Sequence, residues 1–296
     1  MYLDRHDIEK FLADDAPVVG VKITSIKGST PRNLDAWMLV KQSSIFRTIG
    51  GGQLESIAIE KARALLQNNS DKITKLDIPL GPEIGQCCGG YVSISIKLLD
   101  LFERDAYRKE LKNELAKQPH IYIFGAGHVG KALAQTCSLL PYNVSLIDSR
   151  EEELSSAPIG VATELTSLPE AIIKSARPNS AYVVLTHDHA LDFMIVEAAI
   201  SRGDAAYIGM IGSKTKRASF ESWYKQENGH LVGLDKLTCP IGGPTGEKPN
   251  NGKSLGDKRP EIIAALAASE IIIQIDKAKH VDAKSSGATS NAGVHV

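Results

Sequence analysis

At 296 residues, 43% apolar and 23% charged, the chain has the make-up of two ordinary cored domains, so disorder is not the default expectation. Its 34 basic and 35 acidic side chains nearly cancel, so no global field draws it to nucleic acid or to a membrane surface. The start, MYLDRHDIEKFLADD, lacks an apolar run, and no later segment approaches the roughly 18 apolar residues of a membrane span, so a cytoplasmic protein is expected.

The first hundred residues read as a small N-terminal α/β domain, 1–100. A helix to about Asp14 precedes the β-branched run Val18 to Ile26, which ends in the turn Gly28-Ser29-Thr30-Pro31. Met38 to Val40 and Ile45 to Ile49 look extended. Gly50-Gly51-Gly52 then opens an amphipathic helix with Leu54, Ile57, Ala58, Ala62, Leu65 and Leu66 on one face. Tyr91 to Ile96 alternates with period two and closes the domain as a half-buried strand.

A charge-rich helix, Leu101 to Lys117, reads as a connector over 101–118, broken by Gln118-Pro119. From His120 strands and helices alternate: Ile121 to Phe124, a helix from His128, Val144 to Ile147, Leu168 to Ser175, Tyr182 to Leu185, Leu191 to Ser201 and Ala206 to Ile208. Such alternation predicts a Rossmann-like, doubly wound parallel sheet over 119–278, with helices on both faces. Pro244 to Ser254 is a polar loop before a last helix from about Pro260, and the tail 279–296, poor in bulky residues, is expected to be disordered.

Gly125-Ala126-Gly127-His128-Val129-Gly130 follows a strand and opens a helix, and Asp148 ends the next strand. In that context glycines let a backbone approach a pyrophosphate, the helix start offers free N–H donors, and the acid holds a ribose hydroxyl. Close strand–helix packing alone also accounts for the glycines. Thr186-His187-Asp188-His189 falls at a strand end, where doubly wound sheets bind ligands. His187 and His189 admit a cofactor-facing role, a metal site lacking an evident third ligand, or local hydrogen bonding with Asp188 as helix cap.

Ser213 reads as an N-cap followed by Lys214, Lys216 and Arg217, cations that oppose the helix dipole. An anion such as a phosphate would neutralise them, and a solvated helix with Arg217 paired to Glu221 is the other reading. The adjacent thiols Cys87 and Cys88, flanked by glycine, suit a soft metal centre or a carried sulfur better than core packing. Cys137 reads as core, and Cys239 admits either role.

Nine segments in one order, GSTPR, IGGGQLE, LGPEIGQCCGG, YIFGAGHVGKALA, IDSRE, VVLTHDHALDFMIVEAAI, YIGMIGSKTKRASF, LTCPIGG and DKRPEIIAAL, resemble the XdhC/CoxI family of xanthine dehydrogenase accessory proteins. The resemblance covers nearly the whole chain. It implies a chaperone that binds the molybdenum cofactor (molybdopterin), supports its sulfuration with a cysteine desulfurase and delivers it to apo xanthine dehydrogenase, as a homodimer.

On that reading Gly125, Gly127, His128, Gly130, Asp148, His187, Asp188, His189, Ser213, Lys214, Arg217, Arg32 and Glu55 are cofactor-binding candidates, and Cys87 and Cys88 face the metal or its sulfur. Departures stand in the first domain: Asp35-Ala36-Trp37 occupies positions where the family usually has glycine, alanine and a basic residue, and Arg47 one where glycine often stands. Pro244 to Ser254 looks inserted. A dinucleotide is the other ligand that the glycine turn admits, with an NAD-dependent oxidoreductase as the alternative function. A metal-dependent hydrolase on the two histidines is a third, and no proton donor with a substrate-binding arginine is evident for hydride transfer.

Overall fold

The computed structural model describes residues 5–30, 32–68, 73–81, 89–243 and 257–287. Two compact units divide at Lys117.

The first unit is a five-stranded antiparallel sheet ordered β3-β2-β1-β5-β4, built from β1 (Val19–Lys27), β2 (Trp37–Val40), β3 (Ile45–Phe46), β4 (Thr74–Pro79) and β5 (Tyr91–Leu98). Strand alternation sends Val21, Ile23, Met38 and Ile94 to one face, where α2 (Gly52–Asn68) buries Leu54, Ala58, Ala62 and Leu65. The opposite face carries Trp37 and Leu39 against α1 (Arg5–Phe11), through Ile8, and against α3 (Leu101–Lys117), through Leu111. The helix read as a connector therefore covers a sheet face, because Tyr107, Leu111 and Leu115 recur at four-residue spacing on one side.

The second unit is a six-stranded, wholly parallel sheet ordered β11-β10-β9-β6-β7-β8. Its strands are β6 (His120–Phe124), β7 (Asn143–Asp148), β8 (Ala162–Leu165), β9 (Ala181–Val184), β10 (Tyr207–Met210) and β11 (Leu237–Thr238). Counted from β6 this is the order 3-2-1-4-5-6 of dinucleotide-binding folds, so the Rossmann-like expectation holds.

Within β6, Ile121 and Ile123 join one core, and Tyr122 and Phe124 the other. On the first side lie α4 (His128–Ser138) and α9 (Pro260–Gly287), the latter burying Ala264, Ala267, Ala268 and Ile271. On the second lie α6 (Glu170–Ser175), α7 (His189–Arg202) and α8 (Lys214–Asn228). The short α5 (Glu151–Leu154) follows β7. The Tyr207 hydroxyl donates to Glu270 Oε2 (2.7 Å), pinning α9 to β10.

Three expectations change. The tail predicted to be disordered from residue 279 is helical through Gly287, since α9 packs on α4 and carries its register past the last bulky residues; residues 288–296 lie outside the described residues. The extended run after Ile45 ends at Phe46 because Arg47 takes φ +67°. Edge strands β4 and β8 complete the two sheets without having announced themselves in the sequence. The polar loop Pro244 to Ser254 lies outside the described residues.

Asp35 and Arg47 both sit at φ +67°, where a Cβ is strained. Arg47 offsets that cost: its guanidinium lies 4.1 Å over the Trp37 ring and grips Glu114 of α3 at 3.1 and 2.9 Å, while Trp37 Nε1 donates to the same carboxylate (3.2 Å). The Asp35 side chain makes a solvent-exposed pairing with Lys22 at 3.5 Å. In urea unfolding, Asp35→Gly is expected to stabilise the first unit by about 1 kcal/mol. Arg47→Gly, which removes the same strain together with the Glu114 grip, is expected to give no gain.

Candidate functional site

The carboxyl ends of β6, β7 and β9 stand level, Phe124 pairing with Ile147 on one side and Val184 on the other. All strands run the same way, but the order in which they are added to the sheet reverses between β6 and β9, and the resulting crevice is lined by Gly125, Asp148, Ser149, Thr166, Thr186 and His187.

The glycine turn makes α4 begin at this crevice. A Cβ on Gly130 would stand 1.9 Å from the carbonyl oxygen of Gly125, so no other residue allows this approach of helix to strand. Gly127 is the opposite case: a Cβ there would meet nothing within 4 Å. As the N-cap of α4 it offers no side-chain cap to the first N–H groups of the helix. By contrast α7 is capped by Asp188, whose Oδ1 accepts from Ala190 N (2.8 Å), and α8 by Ser213, whose Oγ accepts from Lys216 N (3.2 Å). The exposed His128 is the first residue of α4, His187 lines the crevice and the exposed His189 opens α7.

Asp148 is buried beside the turn. Its Oδ2 accepts from Ala126 N (2.7 Å) and Arg150 Nη2 (2.9 Å), its Oδ1 from Arg150 N and Nε (3.0 Å each). Burial raises its pKa, but the Arg150 side chain and the two backbone N–H groups outweigh burial and hold the carboxyl at about 2.

Of the two readings of the cation cluster after β10, the structure carries the pairing of Arg217 with Glu221. Lys216 forms an ion pair with Asp192, itself 0% exposed. Arg217 donates to Glu221 Oε1 (2.8 Å) and to the Leu237 carbonyl (2.7 Å), which makes it a strut between α8 and β11. Lys214 is exposed.

Asp192 was not singled out from sequence, although an acid in phase with the buried residues Ile195, Val196 and Ala199 of α7 was the available signal. Its Oδ1 accepts from Thr186 N (3.0 Å) and Thr186 Oγ1 (2.6 Å), so with Lys216 it holds the crevice wall.

In the first unit, Glu55 turns back as a cap: its Oε2 accepts from Thr48 Oγ1, Ile49 N (3.1 Å) and Gly51 N (3.2 Å). A carboxylate of the chain itself thus fills the glycine turn that could have met an anion. Arg32 is exposed, and its carbonyl accepts from Thr30 Oγ1 (2.8 Å). Cys87 and Cys88 lie outside the described residues. Cys137 is core and Cys239 is 8% exposed, burial raising both thiol pKa values. Among the described residues no group of three His, Cys, Asp or Glu side chains could hold a metal, and no helix is long and apolar enough to cross a membrane.

A family model described as the XdhC Rossmann domain matches residues 121–271, and one described as the XdhC and CoxI family matches residues 11–77. The uncharacterized protein YqeB of Escherichia coli (strain K12) is 25% identical over 273 residues, 89% of this chain but 44% of that protein, so the chain spans under half of this relative's length. A crystal structure described as a xanthine dehydrogenase (BH1974) from Bacillus halodurans superposes with TM-score 0.73 at 18% identity, covering 93% of this chain and 96% of that one, a likeness of fold.

Asp192→Asn, which leaves Lys216 buried without its counter-charge, is expected to cost about 3–5 kcal/mol in urea unfolding, and Asp192→Asn with Lys216→Met to recover most of that loss. Because the folded pKa of Asp148 lies below the ordinary 3.8, its stabilisation is complete above about pH 4 and fades as pH falls toward about 2. Asp148→Asn should therefore be less stable than the parent by about 1–2 kcal/mol at pH 7, with the gap closing over that acid range.

Proposed function

The chain belongs to the XdhC and CoxI family, and from that membership we propose that it is an accessory factor of xanthine dehydrogenase maturation that binds the molybdenum cofactor in the cytoplasm. It supports sulfuration of the cofactor with a cysteine desulfurase and hands it to the apo-enzyme, working as a homodimer. The observation that carries the reading is the uncapped start of α4 at the crevice, beside a Gly127 whose missing side chain leaves room for a ligand.

These features fit the phosphate of a molybdopterin: peptide N–H donors and the positive end of a helix dipole suit a phosphomonoester, and Gly127 lets it approach the backbone. Thr186 and His187 supply the neighbouring wall, and Asp192 with Lys216 keeps that wall in place. When bound, the cofactor supplies a molybdenum centre with a terminal sulfido ligand. Cys87 and Cys88 are the soft donors assigned to that metal or to the incoming sulfur. The rival reading, an NAD-dependent oxidoreductase, draws on the same glycine turn and on the strand order.

The protein purified from a cofactor-producing host is expected to carry pterin and molybdenum near one per chain, and absence of both would overturn the proposal. Gly127→Val, which adds a side chain into open space at φ −69°, is expected to fold normally and lose at least about 90% of the bound pterin, roughly 1.4 kcal/mol of affinity. Gly130→Ala, by contrast, is expected to be destabilised outright. Cys87→Ala with Cys88→Ala should retain pterin and lose sulfuration, and unchanged sulfuration would remove the role of the thiols.

A further inference from the structure

Asp148 stands where a dinucleotide-binding fold places the acid that reads a ribose diol. An ionised carboxylate offers about four acceptor directions. In this chain all are used: two by the Arg150 guanidinium, one by Arg150 N and one by Ala126 N. The side chain is 4% exposed.

Arg150 is itself held. Its Nη1 lies 3.5 Å from Glu153 Oε1, and Glu153 Oε2 accepts from Lys131 Nζ (2.6 Å) on α4. The run Asp148, Arg150, Glu153, Lys131 ties the start of α5 to the second turn of α4, across the rim next to the crevice.

A ribose that donated two hydroxyls to Asp148 would have to break a bidentate, charge-assisted pair and strand a guanidinium among acids, exchanging strong hydrogen bonds for weaker neutral ones. A phosphate at the start of α4 needs nothing from Asp148. It meets N–H groups that have no side-chain cap, and the Asp148–Arg150 pair beside it is electrically neutral.

We propose that Arg150 is a specificity-determining residue: by occupying the diol-reading acid it closes the crevice to nicotinamide and other ribose-bearing dinucleotides and leaves it to a phosphomonoester ligand. The proposal rests on the anion site argued above, and it deepens that reading by naming the ligand class, a ribose diol read by Asp148, that the site refuses.

The test uses the full chain with two probes, NADH followed by fluorescence and inorganic phosphate followed by thermal protection. The parent is expected to show no saturation by NADH at about 1 mM. Arg150→Ala and Arg150→Met, the second keeping the aliphatic packing, should bind NADH at least about ten-fold more tightly than the parent, and adding Asp148→Asn should abolish the gain. Micromolar NADH binding by the parent that Asp148→Asn weakens would overturn the proposal, as would Arg150 variants that gain nothing. Phosphate protection, and its loss in Gly127→Val, reports separately on the anion site, so failure there would remove the site while the NADH series still judges Arg150.

Discussion

The second unit depends on a contact between two backbones. The carbonyl of Gly125 occupies the space in which any side chain on Gly130 would lie, so the first turn of α4 rests directly on the end of β6. That approach brings the helix start, which no side chain caps, close to the place where the strand order reverses. Gly127 then keeps the approach to those groups clear. Packing requires the glycine at 130, whereas the one at 127 leaves open space beside the helix start.

Around this contact the buried charges are arranged in pairs. Asp148 binds the glycine turn through Ala126 N and is neutralised by Arg150; Asp192 binds Thr186 and is neutralised by Lys216. Each carboxylate fixes one wall of the crevice by accepting from a backbone N–H, and each brings its own cation from a neighbouring segment. A buried carboxylate without such a partner would be costly, and each cation offsets that cost. The same pairing removes Asp148 from the set of groups open to a ligand, which separates this crevice from a dinucleotide site of the same topology.

The first unit meets a different constraint. Asp35 and Arg47 adopt a backbone conformation suited to glycine, and the Arg47 side chain, Trp37 and Glu114 compensate by fastening α3 to the sheet. Its glycine turn at Gly50 to Gly52 is closed by Glu55. The anion-accepting features that the described residues carry therefore concentrate at α4.

Sequence alone determined the two-part organisation, the parallel sheet and the motif at Gly125 to Gly130, because buried strands and amphipathic helices impose local periodicities that survive in one dimension. It also placed the caps at Asp188 and Ser213, which act on residues two or three positions away. Edge strand β8 escaped it, since Ala162 to Leu165 are all exposed and carry no burial pattern, as did the extension of α9, whose last turns follow from its packing on α4. Whether Asp148 faces a ligand or Arg150, whether Glu55 faces a ligand or its own turn, and whether Lys216 is open or paired were decided by the tertiary structure only. The pairing of Lys216 with Asp192, 24 residues apart in sequence, is set by how α7 and α8 lie on the sheet, and Asp148 and Glu55 find their partners through the turn of the backbone, none of which periodicity encodes.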